Sequence, residues 1–399
     1  MERRHNHTSA HSNSHHFPIS DPATRRLPSF AKIGAKLIPW KHINGQEEVC
    51  MISRSGGKSF VARQVASVQS LTASAINPQN ILLFLVITIA YFVSGKFGQQ
   101  LAIPNPDATA FWPPAGIALA ALFIKGNKAL PGIFAGGFLV NLTTTGMPLI
   151  ASGIAFGNML EVMIAVFLVK KFANGVDAFF TPKGVLRFFV LAGIVPTTFC
   201  ATVGIGLLCL GGVVKWSAFW DLWSVWWVGD LLGSVILAPF LILLFVHRHH
   251  SLSWTEWCEA TILLAGLTAI CVLNFGPPIV SWVPKLFFSI PFLFWAAIRF
   301  CPLEVSGACL LMSGFAVWGS LHGYGPYANT RTAPLMVTGY ILAYSIMAMI
   351  VSAAIFQQRK QIENLYVMYY RLKSLSMPNK EVSCEEVEAV AISRSTIEE

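Results

Sequence analysis

Long apolar segments, separated by short polar loops, occupy the chain between residues 80 and 356. Most are close to the length that a helix needs to cross about 30 Å of hydrocarbon, and the breaks between them carry Pro, Gly or clustered charge. The pattern predicts an all-α integral membrane protein, a bundle of about 8 to 10 transmembrane helices. The ten predicted segments are residues 80–101, 109–124, 129–145, 149–169, 185–210, 223–246, 258–275, 286–299, 303–320 and 333–356.

The two ends of the chain are polar. Residues 1–79 are basic and rich in His and Ser, which predicts a disordered cytoplasmic tail. Residues 357–399 are predicted to form a cytoplasmic helix followed by an acidic tail. Ile362, Leu365 and Leu372 recur at helical spacing, so we expect the last span to continue to about Met377. This extension would either transmit a movement to a partner or lie on the membrane surface.

Composition excludes a soluble globular protein. Only 12% of the 399 residues are Asp, Glu, Lys or Arg, against roughly 25% in soluble domains. Apolar residues make up 54%, and the mean hydropathy is +0.59. Because one globular core cannot hide so much apolar surface from water, the lipid bilayer is the expected surrounding of the middle segment.

The distribution of Lys and Arg predicts the orientation, because basic residues beside membrane spans are retained on the cytoplasmic side. With ten spans and both termini cytoplasmic, 24 of the 28 Lys and Arg lie inside and four lie outside. The four outer residues are Lys96, Lys215, Lys285 and Arg331. Because one span more or fewer reverses the side of every later loop, this asymmetry supports both the span count and the orientation.

Other features of the composition do not indicate a further function. The net charge of +9 has no aromatic and basic motif behind it, so we expect no nucleic-acid partner. The eight cysteines form no C-x-x-C pair and are interpreted as small apolar packing residues. Histidines in the N-terminal tail would have to order a flexible segment to bind a metal. We therefore expect neither a metal site nor a cofactor.

Two acidic residues lie inside predicted spans, Glu161 in the fourth and Asp230 in the sixth. An ionised acid at the centre of a membrane helix costs about 2.5 to 3.5 kcal/mol on insertion scales, so such residues usually face the bundle interior. Asn158 precedes Glu161 by three residues and shares its helix face. We predict a small-molecule or ion pocket at these three residues. The alternatives are polar groups that only tie helices together, and a proton relay.

Two tryptophans are ambiguous. Trp112 precedes two prolines that fit the first turn of a helix entering the membrane, and Trp227 ends a cluster of tryptophans at the outer end of the sixth span. Tryptophan commonly anchors a protein at the membrane interface, whereas a binding cage is the alternative. Both residues remain candidates for ligand binding.

Several motifs occur in a specific order. Residues 112–120 read W-P-P-A-G-I-A-L-A, and P-G-I-F follows at residues 131–134, with Gly137 and Asn141. Then come G-N at residues 157–158 with Glu161, W-V-G-D at residues 227–230, and W-A-A-I-R-F at residues 295–300. Across residues 80–356, this ordered set closely resembles the type-one membrane-associated sensor (MASE) domain of bacteria. The full set of candidate ligand-binding residues is Glu161, Asp230, Asn158, Asn141, Trp112 and Trp227.

The resemblance implies a multi-pass sensory input module for signal transduction in the bacterial cytoplasmic (inner) membrane. Relatives are usually fused to a cytoplasmic diguanylate cyclase, cyclic-di-GMP phosphodiesterase or histidine kinase. Here 40 residues follow Arg359, without a G-G-D-E-F or E-A-L motif, whereas such a module needs roughly 100 to 200. We therefore expect no enzymatic activity, and an output domain that is supplied in trans or lost.

The leading hypothesis is a membrane sensor for an unknown small-molecule ligand or for a membrane state. A cytoplasmic cyclase or kinase and a second copy of the chain are its possible protein partners. The alternative is a small-molecule or ion transporter or channel, because Pro196 and Pro239 within spans would suit broken helices along a substrate path. No clear repeat relates the first five spans to the last five, which argues against a transporter.

Overall fold

Ten helices make up the described part of the protein. The computed structural model describes residues 77–100, 111–246, 253–277, 288–326 and 333–376, and no strand occurs among them. The helices are α1 (Pro78–Gln100), α2 (Pro113–Lys125), α3 (Leu130–Thr145), α4 (Pro148–Phe172), α5 (Pro182–Leu210), α6 (Trp216–Val246), α7 (Trp254–Phe275), α8 (Ser289–Arg299), α9 (Pro302–Leu321) and α10 (Ala333–Ser376). The all-α membrane fold predicted from the sequence is confirmed.

Each predicted apolar segment corresponds to one of these helices. The largest difference in a starting residue is at α6, which begins at Trp216 instead of residue 223. Its first turns carry tryptophans and Asp221, a composition typical of a membrane interface and not of a span. The last helix, α10, continues as far as Ser376.

Within the described residues, eight helical stretches are long and apolar enough to cross a membrane, and one of them, Pro113–Thr145, contains a sharp turn. Gly126 has a φ of +61° and opens a 3-10 turn that ends at Ala129. A side chain at this φ would be strained, so glycine permits the reversal between α2 and α3. These two helices are therefore separate, short passes.

The packing of α1 shows that α2 and α3 run in opposite directions. Against α2, Gly98 of α1 lies by Trp112 and Gly95 lies by Pro114, so the two helices are antiparallel. Against α3, the residue numbers of the contacting residues increase along both helices, so α1 and α3 are parallel. The contacts with α3 are Ile87 with Gly132, Tyr91 with Gly136 and Gly95 with Val140.

The same alternation of direction continues to the end of the bundle. α4 and α5 are antiparallel, because Gly153 faces Leu207 and Gly157 faces Val203. α7 and α8 are antiparallel as well, because Gly266 faces Phe292 and Glu259 faces Arg299. With ten alternating segments, the start of α1 and the membrane-exit point of α10 lie at the same face. α8 has 11 residues and, like α2 with 13, is shorter than a full span.

Local sequence explains where several helices begin. Proline occupies the first or second position of α2, α4 and α9, where its missing N–H costs no helical hydrogen bond. α7 begins with a capping box, in which the Ser253 hydroxyl accepts from the Glu256 backbone N–H and the Glu256 carboxylate accepts from the Ser253 N–H. These signals set the boundaries at the polar ends of apolar segments.

Charged side chains are confined to the ends of the helices, with two exceptions. Among the described residues, every Asp, Glu, Lys and Arg other than Glu161 and Asp230 lies in a loop, within about two helical turns of an end, or on the part of α10 beyond Phe356. Predictions for residues 1–76 and 377–399, including the disordered tail, the histidines and the acidic end, lie outside the described residues. Lys285 and Arg331 lie outside them too.

Candidate functional site

The acids of α4 and α6 meet in the interior of the bundle, together with a cysteine of α5. Carboxylate oxygens of Glu161 and Asp230 and the Cys200 Sγ all lie within 4.8 Å of one another. The residues are 3%, 2% and 1% exposed, respectively. Three consecutive helices thus bring together two acids and a thiol that lie 30 or more residues apart in the sequence, near the middle of the bundle. We call these three residues the carboxylate–thiol cluster.

A hydrogen-bonded chain joins the cluster to α1. The Cys200 thiol donates to Asn158 Oδ1 over 3.2 Å, and Asn158 Nδ2 donates to the Tyr91 hydroxyl over 2.8 Å. Tyr91 and Asn158 are both buried. Asn158 has its oxygen turned to the thiol and its amide group turned to Tyr91, so its orientation is fixed from two sides.

Two oxygens of the cluster lack a hydrogen-bond donor. Glu161 Oε1 and Asp230 Oδ2 are buried without any partner. Neither acid forms an ion pair with a described Lys or Arg. Buried polar groups are nearly always satisfied, and isolated charges in a low-dielectric interior are very costly. The cluster therefore requires protons, a cation or a polar ligand at these oxygens.

Close backbone contact between α2 and α6 positions Asp230. The Trp112 N–H donates to the Gly229 carbonyl over 3.0 Å, which ties the start of α2 to the residue before Asp230. A Cβ on Gly233 would lie 2.2 Å from the Trp112 carbonyl oxygen. A π-helical turn, Gly233–Leu237, begins three residues after Asp230. π turns often occur at functional sites, where they change the direction of the side chains on a helix.

An aromatic column leads along α6 towards Asp230 from the end with the loop residue Lys215. Trp223 and Trp227 are stacked, with ring centroids 5.8 Å apart and an interplanar angle of 9°. Trp220 contacts Trp223 in turn. Trp227 precedes Asp230 by three residues and has a buried Nε1 without a hydrogen-bond partner. The column thus ends at an unused donor on the helix face that carries Asp230.

The other two candidate residues are placed differently. Asn141 Nδ2 donates to the Gly137 carbonyl of its own helix over 2.8 Å, and no described contact joins Asn141 to the cluster. Trp112 is half-buried and its ring packs against Gly98 at the α1–α2 crossing. Glu161, Asp230 and Asn158 are brought together, and Trp227 lies beside them.

Sequence reasoning missed Tyr91 and Cys200. Cys200 was interpreted as an apolar packing residue, because the cysteines of the sequence form no C-x-x-C pair. Tyr91 lies in the middle of α1, the one tyrosine of that helix, among aliphatic residues. A buried tyrosine hydroxyl needs a partner, and this is the signal that could have marked it.

Comparison with known proteins identifies the family. The MASE1 family model matches residues 81–360, which extend from the first turn of α1 to the part of α10 just beyond Phe356. The chain belongs to the MASE1 family. It is thus an integral-membrane sensory domain of the bacterial inner membrane, of a kind found in diguanylate cyclase-type proteins.

One curated relative supports this assignment. The chain is 22% identical over 322 residues to a probable diguanylate cyclase, DgcF, of Escherichia coli O157:H7. The match covers 75% of this MASE1 chain and 65% of the relative, so the chain spans less than two thirds of that protein. No solved structure matches the chain. No catalytic domain is evident in the matched MASE1 region.

Proposed function

We propose that this MASE1 chain is the sensory part of a signalling system, in which the carboxylate–thiol cluster binds a ligand and α10 passes the change to a cytoplasmic output module. The observation that supports the proposal is the pair of buried, unpartnered carboxylate oxygens inside a sensor domain. A purely structural polar contact would satisfy these groups within the bundle. The output protein would be a cyclase or kinase, and the chain itself would carry no catalytic activity.

The distribution of charge supports an orientation with the start of α1 and the end of α10 in the cytoplasm. The face with these two ends also carries Lys125, Lys128, Lys170 and Lys171. The opposite face carries Lys96 and Lys215. Basic residues are retained inside, so the aromatic column of α6 would begin at the outer surface and the ligand would arrive there.

The packing of α6 against α10 offers a route from the site to the output. Beyond Asp230, Ile236 of the π turn and Pro239 line a small cavity whose other walls include Ser345 and Met349 of α10. A ligand that draws Asp230 towards Glu161 would shift this part of α6, and the cavity leaves room for α10 to respond. Helix shifts of about 1–2 Å are a common form of such transmission.

The cytoplasmic end of α10 is held to α8. Arg359 donates to the Ile298 carbonyl over 2.6 Å, and neighbouring Arg299 forms a bidentate ion pair with Glu259 of α7. Beyond this contact, α10 exposes apolar side chains such as Leu365 and Tyr369. This exposed surface would contact the output partner or a second copy of the chain.

A transport function has weaker support. Transporter sites commonly use helices that unwind at the substrate, which was the role suggested for Pro196 and Pro239. In the structure, α5 and α6 remain continuous past both prolines, with one π turn in each helix instead of an unwound segment. Proteoliposome flux that is abolished by Glu161→Gln would establish transport and contradict the sensor proposal.

The signalling proposal is tested by joining a reporter diguanylate cyclase after the last residue of the full chain. We expect Glu161→Gln and Asp230→Asn each to change cellular cyclic di-GMP several-fold at equal membrane abundance. The matched control is Asp221→Asn, which removes an exposed acid at the outer end of the same helix as Asp230. If both site variants match the parent and the control, the cluster does not control output.

A further inference from the structure

The charges of the cluster restrict what it can bind. The titratable groups that face one another here are Glu161, Cys200, Asp230 and Tyr91, from four helices, and no lysine, arginine or histidine of the described chain is among them. Two ionised carboxylates without a cation would leave a double negative charge in a low-dielectric interior, which is strongly unfavourable. Either two protons or one divalent cation makes the two acids electrically neutral.

The spacing of the donor atoms fits a single small ion. Zn²⁺ binds carboxylate oxygen at about 2.0–2.2 Å and thiolate sulfur at about 2.3 Å, so in its usual tetrahedral geometry two donors on one ion lie about 3.5 Å apart. The three donors of the cluster lie within 4.8 Å of one another, so small side-chain movements bring them to one centre. Glu161 Oε1 and Asp230 Oδ2 have no competing hydrogen bond to lose.

The donor types select the class of metal. A sulfur ligand favours zinc-like borderline ions over Mg²⁺ and Ca²⁺, and Ca²⁺ takes six to eight oxygen ligands. Asn158 offers a further oxygen ligand beside the two acids and the thiol. When a metal replaces the thiol proton of Cys200, Asn158 Oδ1 loses its donor and becomes available as a fourth ligand, while Tyr91 still holds the amide group.

We propose that Glu161, Cys200 and Asp230 form a binding site for one divalent transition-metal ion of the zinc type. This inference rests on the proposed function and names the ligand class of the same site. The metal replaces the protons on the two carboxyl groups and on the thiol, and those three protons leave to solvent. The divalent ion offsets the two carboxylates and the thiolate leaves one net negative charge, which is less than the two of the ionised, metal-free acids. Protons compete for the same three atoms, so the affinity for metal falls as the pH is lowered.

Cobalt tests the site directly. The full chain in lipid nanodiscs is titrated with Co²⁺, whose bond to a thiolate gives a near-ultraviolet charge-transfer absorption band. We expect one equivalent to bind with this band and Zn²⁺ to displace it. Cys200→Ser should abolish the band, and Glu161→Gln and Asp230→Asn should weaken binding about tenfold or more. Cys309→Ser is the matched control, because it changes another fully buried thiol outside the cluster.

The outcomes separate the possibilities. Cobalt bound by the N-terminal histidines would lack the thiolate band, so binding without it, or a band that survives Cys200→Ser, overturns the metal site. If Cys200→Ser does not insert, Cys200→Ala and the proton release measured on the parent decide the same question. Metal binding by the parent without any effect of Glu161→Gln on reporter output would refute the signalling proposal alone. Altered output without metal binding would refute the metal site alone.

Discussion

Alanine in place of Gly233 is expected to separate α2 from α6 at the point where Asp230 is positioned. The new Cβ would lie 2.2 Å from the Trp112 carbonyl oxygen and 3.2 Å from its carbon. Because the obstacle is backbone, no rotamer change relieves the clash. Reaching an acceptable contact of about 3.0 Å requires a movement of about 0.8 Å, which lengthens the 3.0 Å hydrogen bond from the Trp112 N–H to Gly229 beyond a useful distance.

The expected loss of stability follows from these contacts. Overpacking a close contact costs roughly 1–3 kcal/mol, and a lost hydrogen bond adds about 0.5–1.5 kcal/mol. The better helix propensity of alanine offsets roughly 0.5–1 kcal/mol of this loss of stability. We therefore expect Gly233→Ala to destabilise the protein by about 0.5–4 kcal/mol, and to change reporter output because Asp230 moves relative to Glu161.

Thermal denaturation in detergent, followed by the loss of soluble protein, measures this effect. The matched control is Gly206→Ala in α5, where a Cβ meets nothing within 4 Å, so this variant should keep or slightly raise the stability of the parent. If Gly233→Ala is as stable as Gly206→Ala, the close contact between α2 and α6 is not present in the membrane, and the placement of Asp230 is wrong.

Three further outcomes are expected. Tyr91→Phe removes the acceptor of the buried Asn158 amide and should lower stability by about 1–3 kcal/mol in the same assay; an unchanged melting temperature would contradict the hydrogen-bonded chain. Glu259→Gln removes a partly exposed ion pair, so it should lower the stability by about 1 kcal/mol or less and still change reporter output. Unchanged output would show that this contact has no role in signalling. An impermeant thiol reagent applied to intact cells should label Lys215→Cys above the parent but not Lys128→Cys, and the opposite pattern would reverse the proposed orientation.

Much of the fold is determined by the sequence alone. In a bilayer, every backbone group must be satisfied within its own helix, so apolar length, proline positions and basic loops predict the spans before any packing is considered. The ten segments, the reversal near Gly126 and the inward position of Glu161 and Asp230 follow from this one constraint. The ordered W-P-P-A-G-I-A-L-A and W-V-G-D motifs were sufficient to indicate the MASE1 family.

Tertiary structure alone decided which residues complete the site. Cys200 and Tyr91 lie 42 and 67 residues from Asn158 in the sequence, and no local sequence pattern indicates their hydrogen bonds with it. Asn141 shows the converse, since its family motif suggested a ligand but its amide binds its own helix. The physical reason is that hydropathy specifies only which face of a helix is inward, whereas the partner of an inward polar group depends on how neighbouring helices are rotated and at what height they cross.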